Sequence, residues 1–174
     1  MKSIIKLIII FLFTSTLALN AQIIKTKLDI AAGFSFREYL HAGVRYQYTD
    51  ITQLGFFIGA DGNLFPEIVT TYSADHLIHF GNTSFISNRP VWYARQGFTY
   101  KVSKESDRTF YFSYINLALG RDFTINNWFG VNADMGFILQ VREKMEYKDP
   151  NLDPQYRTNW YWLPLFRIQL YYSF

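Results

Sequence analysis

Two oppositely charged residues, Asp134 and Arg167, are the best candidates for joint chemistry in this chain. Each lies in a segment where apolar and polar residues alternate, and a fold-back about residue 150 would place them opposite each other. A carboxylate and a guanidinium inside a protein are tolerable when they are paired. Such a pair could belong to a proton or ion path, or to a plug of ion pairs that fills a narrow interior. If the alternating segments close into a small β-barrel, side chains fill its interior and leave it too narrow to conduct, so we favour the plug.

The histidines do not form an evident metal site. His76 and His79 lie close to Asp75, but residues three apart on a strand point to opposite faces. His41 stands alone in the sequence. We therefore predict no metal and no cofactor.

A second candidate for metal binding lies nearer the C-terminus. Asp149, Asn151 and Asp153 have the i, i+2, i+4 oxygen spacing of a calcium loop. Pro154 stands where such a loop needs glycine, and no glutamate follows at the required distance. Prolines at 150 and 154 indicate turns instead.

The sequence predicts that strands carry these charged residues, because apolar and polar residues alternate with a period of two. No window after the N-terminal residues fits the helical period better. We predict an all-β fold, an eight-stranded antiparallel up-and-down transmembrane β-barrel, in which the fourth strand has a poorly defined frame. The predicted strands are residues 27–36, 41–48, 53–60, a segment within 72–86, 91–102, 109–124, 129–142 and 160–174. The predicted long loops are residues 62–71 and 143–159, and the predicted turns are residues 49–52, 87–90 and 125–127, with a two-residue hairpin at 126–127.

One face of each predicted strand is apolar, and the other is both polar and small. The glycines on the polar face are Gly33, Gly43, Gly55, Gly59, Gly97, Gly120, Gly130 and Gly136. An eight-stranded barrel has an interior only just wide enough for side chains, so small residues belong inside it. The strands are also longer than the about 5–6 residues of a typical soluble strand, and aromatic residues cluster at their ends. We therefore predict that the apolar face meets lipid and that the polar face lines the lumen.

The predicted lumen contains charges of both signs. The charged residues assigned to it are Asp29, Arg45, Arg95, Lys101, Asp122, Asp134, Arg142 and Arg167. Arg121 falls on the lipid face near one rim, where its long side chain can reach polar surroundings.

The N-terminal residues have the features of a secretory signal peptide. Lys2 and Lys6 accompany an apolar run, and the sequence up to Ala21 resembles a cleavage site. We predict a cleaved signal peptide over residues 1–21 and an outer-membrane β-barrel domain over residues 22–174, with cleavage after Ala18 as the alternative. An uncleaved anchor is disfavoured, because the apolar run is about ten residues long and a spanning helix needs about 20.

Composition narrows the class of protein further. Removing the two lysines of the signal peptide lowers the net charge from +3 to +1, so the basic composition does not indicate nucleic-acid binding. The absence of cysteine excludes disulfides and a lipid-anchored N-terminal cysteine. Aromatic residues make up 20% of the chain, although its mean hydropathy is −0.03. This combination is typical of transmembrane strands, whose apolar residues alternate with polar ones.

The closing segment, residues 160–174, has an apolar or aromatic residue at every second position and ends on phenylalanine. The last five residues of this apolar set are Phe174, Tyr172, Leu170, Ile168 and Phe166. With the signal peptide and the alternating hairpins, this segment resembles the small eight-stranded bacterial outer-membrane β-barrel superfamily. In that superfamily such a C-terminal strand is the assembly signal. The resemblance implies the outer membrane of a Gram-negative cell, contact with outer-membrane lipids and lipopolysaccharide, and recognition by the barrel-assembly machinery.

The resemblance does not fix an activity, because one fold hosts many functions. We expect a non-enzymatic protein with a structural or surface-interaction role, whose outer loops could contact other proteins. One alternative is a lipid-modifying enzyme similar to the lipid A deacylases, which carry a His-x-Ser-Asn motif. Ser87 and Asn88 match the end of that motif, but Phe85 stands in place of the activating histidine. A second alternative is a soluble secreted β-barrel that binds a small apolar ligand.

Overall fold

The structure, a computed structural model, describes residues 27–36, 38–61, 68–149, 151–158 and 160–174. Its strands are β1 (Lys27–Ser35), β2 (Tyr39–Gln47), β3 (Thr52–Ala60), β4 (Ile68–Thr83), β5 (Pro90–Lys104), β6 (Arg108–Thr124), β7 (Phe129–Tyr147), β8 (Gln155–Arg157) and β9 (Tyr161–Ser173). Within those residues, no helix is long and apolar enough to cross a membrane. The predicted signal peptide and its cleavage site lie outside the described residues and stay predictions.

Strand pairing closes the sheet on itself. From β1 to β7 each strand pairs antiparallel with the next in sequence, and β9 pairs with both β7 and β1. The short strand β8 pairs with β7 beyond the ring. The chain is therefore an all-β, closed eight-stranded antiparallel barrel made of β1–β7 and β9, and the predicted fold class is confirmed. Closure gives each of the eight barrel strands a hydrogen-bonded neighbour on both sides.

The alternation of the sequence becomes the two faces of the barrel wall. On β6, Leu117 and Leu119 point outward and are exposed, whereas Asn116 and Ala118 point inward and are buried. Every barrel strand contributes large exposed apolar side chains to the outside in this way. The fully buried large side chains include Arg45, Arg95 and Arg167. The polar residues therefore form the interior, and the apolar residues form the outer surface.

The barrel has two distinct ends. Lys27 and Phe174 lie at one end together with the connections 48–51, 84–89 and 125–128, and we call it the terminal end. The last residues of β1, β3, β5 and β7 lie at the opposite end, which we call the loop end, and they are Ser35, Ala60, Lys104 and Tyr147.

The strands that reach the loop end are longer than predicted. Residues 68–71 continue β4, because Ile68 pairs with Lys104 of β5. Residues 143–147 continue β7, because the pairing with β6 extends to Arg108 and Tyr147. The predicted loops at 62–71 and 143–159 were wrong in these parts. Backbone hydrogen bonds propagate a hairpin beyond the apolar pattern, so polar side chains do not mark its end.

Because of a β-bulge in β7, the predicted position of one lumen residue was wrong. Ser113 of β6 pairs with Arg142, but the neighbouring Tyr114 pairs with Gln140, so Val141 has no partner. One extra residue in a strand reverses the faces of everything beyond it. Arg142 was predicted inside, and the structure places it exposed on the outer face.

The turn between β6 and β7 is also longer than predicted. Strand β6 ends at Thr124 and β7 begins at Phe129, so the connection has four residues rather than two. Asn126 Oδ1 accepts hydrogen bonds from the backbone nitrogens of Trp128 and Phe129 at 2.9 and 2.8 Å. The asparagine side chain therefore closes the turn in place of a backbone carbonyl.

Close strand packing makes the inward glycines hard to replace. A Cβ atom on Gly136 would lie 2.5 Å from the Ala118 Cα atom, and closer still to the carbonyl oxygen of Leu117. Because these neighbours are backbone atoms, they cannot move aside. We expect Gly136→Ala to lower the free energy of unfolding by about 1–3 kcal/mol, measured by urea-induced unfolding. Met135→Leu at the exposed neighbouring position should change stability by less than about 0.5 kcal/mol, and an equally small effect at Gly136 would contradict the packing argument.

Candidate functional site: the ion-paired lumen and the loop end

A closed ring of four charged side chains occupies the middle of the barrel. Arg95 donates to Asp134 through Nη2 at 2.8 Å and Nε at 3.1 Å, and its Nη1 donates to Asp75 at 3.2 Å. Arg167 donates to Asp134 through Nε at 3.1 Å and to Asp75 through Nη1 at 2.5 Å. All four side chains are 0% exposed. This central ring contains two carboxylates and two guanidinium groups, so its formal charge is balanced.

The strands create room for this ring by placing glycine opposite each carboxylate. Asp75 on β4 pairs with Gly97 on β5, and Asp134 on β7 pairs with Gly120 on β6. On its other side, Asp134 pairs directly with Arg167 on β9. The arginine side chains also pack on aromatic rings. The Arg167 guanidinium carbon lies 5.4 Å from the centre of the Phe57 ring.

A second cluster of balanced charge fills the lumen toward the terminal end. Asp29 forms ion pairs with Arg45 at 3.6 Å and Arg89 at 3.1 Å, and Arg89 lies 3.7 Å from Asp122. The Ser173 hydroxyl on β9 donates to Asp29 at 2.6 Å and so ties the last strand to the first. The two carboxylates and two guanidinium groups again balance in formal charge.

Arg89 was not predicted as a lumen residue. It belongs to the turn between β4 and β5, which the sequence marks only as a turn, and it is buried. Its side chain reaches into the barrel, where Nη2 donates to Gln47 Oε1 at 2.9 Å. The only sequence signal was an arginine beside Pro90 at a turn, which is equally typical of a solvent-exposed position.

A third polar group lies toward the loop end and contains a second residue that the sequence did not reveal. Glu38 comes from the connection between β1 and β2 and is buried. Its Oε1 atom accepts hydrogen bonds from the hydroxyls of Ser73 at 2.7 Å and Thr99 at 3.2 Å. Nearby, the Lys101 ammonium lies 5.0 Å from the centre of the Tyr39 ring. Glu38 could not be assigned from strand alternation, because it lies outside the strands.

The three histidines are separated in space, and both nitrogens of each ring lie within hydrogen-bonding distance of a polar group. His79 lies in the lumen between the Pro90 carbonyl at 3.0 Å and the Gln53 amide oxygen at 3.1 Å. The ring of His76, on the outward side of β4, contacts the Tyr48 hydroxyl at 2.7 Å and the Gln96 amide at 2.9 Å. His41 contacts the Tyr39 carbonyl and the Gln169 amide. Within the part of the chain that the structure describes, no three His, Cys, Asp or Glu side chains are grouped as metal ligands.

The oxygen-rich segment near the C-terminus forms a turn. Asp149 Oδ1 accepts hydrogen bonds from the backbone nitrogen and the side-chain amide of Asn151, at 3.0 and 2.9 Å. Pro150 lies outside the described residues. The carboxylate of Asp149 therefore stabilises a local turn, as is common for aspartate.

The predicted assembly-signal residues all lie on the outer face of β9 and are exposed. They are Phe166, Ile168, Leu170, Tyr172 and Phe174. The end of the strand is fixed on both sides, because Ser173 N donates to Trp128 O at 2.6 Å and Phe174 N donates to Leu28 O at 3.0 Å. The strand thus joins both neighbours through its last residues.

At the loop end, β6, β7 and β8 continue the wall past the point where β9 begins to pair with β7, and we call this part the overhang (residues 108–113, 142–147 and 155–157). Its β6 side still pairs with β5. Its inner face surrounds a cavity of about 260 Å³. The residues that line this cavity are Arg108, Phe110, Glu143, Met145, Gln155 and Arg157. On the opposite face, hydrogen bonds from Lys144 and then Tyr111 lower the pKa of the Glu146 carboxyl.

Comparison with known proteins gives two similar solved structures. No protein-family model and no curated protein sequence matches the chain. The N-terminal β-barrel domain of Pseudomonas aeruginosa OprF is 14% identical with a TM-score of 0.48, over 86% of this chain and 96% of that chain. CarO of Acinetobacter baumannii is 11% identical with a TM-score of 0.45, over 89% of this chain and 100% of that chain. The fold assignment itself follows from the strand pairing described above.

Proposed function

We propose that this protein is an integral outer-membrane β-barrel with a structural or surface-interaction role, that it is not an enzyme, and that its lumen is closed. The observation that supports this proposal is the inverted distribution of polarity. Leucine, isoleucine and aromatic side chains are exposed around the whole wall, whereas the central ring is fully buried. In water such a surface would be strongly unfavourable, and in a bilayer it matches the hydrocarbon.

Exposed aromatic residues at both ends of the barrel indicate which part of it spans the membrane. At the terminal end, exposed aromatic side chains include Trp92, Trp128 and Tyr172. At the loop end, Trp160 and Trp162 are exposed. Amphipathic rings prefer the level of the lipid headgroups, so two belts bound the membrane-spanning part. Outer-membrane barrels have their short turns on the periplasmic side, so the terminal end faces the periplasm and the loop end faces the cell exterior.

A closed lumen agrees with the interior side chains. Two charge-balanced clusters and the group around Glu38 follow one another along the barrel axis, and they are held by hydrogen bonds. Removing one partner would leave a buried charge, so the network resists opening. The surfaces left for interaction are the outer wall, which would contact outer-membrane lipids and lipopolysaccharide, and the loop end, which could bind other proteins. The exposed residues of β9 would be read by the barrel-assembly machinery.

Cell fractionation tests the location, and bilayer recording tests the closed lumen. We expect the protein in the outer-membrane fraction, with a gel mobility that changes on heating. We also expect no stable channel conductance in a planar lipid bilayer. Recovery of the folded protein from the soluble fraction would reject the membrane proposal, and a reproducible open channel would reject the closed lumen alone.

The lipid-modifying alternative can be tested at Ser87. A catalytic serine needs a histidine base, and the ring nitrogens of all three histidines contact polar groups other than Ser87. The Ser87 hydroxyl lies 3.3 Å from that of Thr124. We expect lipid A from cells that produce the protein, or its Ser87→Ala variant, to have the same acylation pattern by mass spectrometry. A pattern that depends on Ser87 would establish the enzyme instead.

A further inference from the structure

We propose that the outward face of the overhang binds the phosphate group of a membrane lipid in the outer leaflet, through Arg142 and Lys144. This inference rests on the proposed membrane location and names a ligand class and a site for it. It begins from the β-bulge at Val141, which turns Arg142 out of the lumen. The same frame places Lys144, two residues further on, beside it on the outer face.

Both cations are arranged on tyrosine rings rather than spread at random. The Arg142 guanidinium carbon lies 5.3 Å from the centre of the Tyr156 ring. Lys144 Nζ lies 5.7 Å from the same ring and 5.6 Å from the Tyr111 ring. Tyr111, Lys144 and Tyr156 form one cross-strand row, since Lys144 pairs with Tyr111 on one side and Tyr156 on the other. Packing against rings holds the two cations in place before a ligand arrives.

Among the described residues, one of the two cations has no carboxylate partner and can bind an anion. Lys144 forms an ion pair with Glu146, which lies two residues away on the same face. Arg142 forms no ion pair with any residue in the described part of the chain, and it is exposed. With Glu146 included, the site carries a net formal charge of +1. An exposed guanidinium beside an ammonium is suited to a phosphate, which accepts several hydrogen bonds at once.

The position of the two cations along the barrel axis indicates that the phosphate belongs to a membrane lipid. Leu139 on β7 pairs with Trp162, a residue of the loop-end aromatic belt, and Arg142 lies three residues beyond Leu139 toward the loop end. The cations therefore lie at or just above the headgroup level and point sideways, into the lipid rather than into the lumen. A phosphorylated lipid of the outer leaflet presents its phosphate at this level. A soluble anion would have no reason to prefer this lateral face.

Arg121 provides a matched control at the other end of the barrel. It also lies on the outer face and also packs on two rings, 5.3 Å from Trp92 and 5.2 Å from Phe123. It belongs to the terminal-end belt and has no lysine two residues away on its strand. An effect of general positive charge would appear at both ends, whereas a phosphate site would appear only at Arg142 and Lys144.

The test uses the folded protein in neutral detergent micelles with diphosphoryl lipid A as the probe, and native mass spectrometry counts the bound lipid. We compare the wild type, the double variant Arg142→Gln with Lys144→Gln, and Arg121→Gln. The expected result is a roughly tenfold or greater loss of lipid A affinity in the double variant and little change in Arg121→Gln. Lipid A without phosphates should bind weakly to all three proteins. Phosphatidylcholine should also bind weakly, because its own choline cation balances the charge of its phosphate.

Equal binding by the wild type and the double variant would overturn the site, and so would equal binding of the dephosphorylated lipid. Competition by inorganic phosphate at concentrations similar to those of the lipid would overturn the assignment to a membrane lipid. Heat-dependent gel mobility shows that each variant is folded. Because cell fractionation reports location independently, outer-membrane protein with unaltered lipid A binding would reject this inference alone. Soluble protein would reject the proposed function on which it rests.

Discussion

Replacing Asp134 with asparagine is expected to lower the free energy of unfolding by about 3–5 kcal/mol, the largest loss we predict for a single side chain. Asp134 accepts hydrogen bonds from Arg95, Arg167 and Tyr93. Without its charge, two buried guanidinium groups would share Asp75 alone. Urea-induced unfolding of the protein in phospholipid vesicles, followed by tryptophan fluorescence, measures the loss.

Two further variants determine whether charge balance is the cause. Asp149→Asn removes an exposed carboxylate from a turn and should change stability by less than about 0.5 kcal/mol. Combining Asp134→Asn with Arg167→Gln restores one-to-one pairing, so the double variant should lose less than the sum of the two single losses. Strict additivity would show that the four side chains of the central ring act independently and would contradict the ring as a coupled unit.

Replacing Leu117 with arginine is expected to cost about 2–4 kcal/mol and to impair assembly into the membrane. Leu117 points outward from β6. Tyr111 lies six residues away on its loop-end side, and Phe123 lies six residues away on its terminal-end side. It therefore lies near the middle of the lipid-facing band, where an arginine side chain is farthest from either headgroup layer. The yield of heat-modifiable protein in outer-membrane fractions and the unfolding free energy in vesicles measure the two effects.

Leu152 provides the control, because its exposed fraction is nearly the same. Leu117 is 49% exposed and Leu152, in the connection between β7 and β8, is 50% exposed. If water surrounded both residues, arginine would be equally harmless at both positions. We expect a large effect at Leu117 and almost none at Leu152. Normal assembly of Leu117→Arg would mean that this face does not meet lipid.

Most of the barrel could be predicted from the sequence, because the face on which a strand residue lies depends on its position within that strand. Period-two alternation assigns a face to each residue of a strand, and it needs no knowledge of neighbouring strands. The frames of β6 and β9 were predicted correctly in this way, and so was the inward position of Asp29, Arg45, Asp122 and Lys101. β4 was the weak element, because His76 and His79 stand among apolar residues and obscure its alternation. Asp75 was missed as a lumen residue for the same reason.

Most of the lumen network could not be predicted, because its contacts join residues that are far apart in the sequence. Asp134 and Arg167 belong to neighbouring strands, so a fold-back sufficed to place them opposite each other. The partnership with Asp75 and Arg95 crosses the interior and depends on how strands far apart around the ring are staggered. Glu38 and Arg89 enter from connections, where side-chain direction follows the local path of the backbone and not a period.

The order of residues along each strand was enough to predict a barrel with an apolar exterior and a charged interior, because alternation separates the two faces and the small polar face fits a narrow lumen. The folded chain was needed to show which charges meet, how far the hairpins extend, and that a bulge at Val141 turns Arg142 to the outside. Stagger, bulges and the closure of the lumen are set by pairing between strands, and not by the order of side chains within one strand.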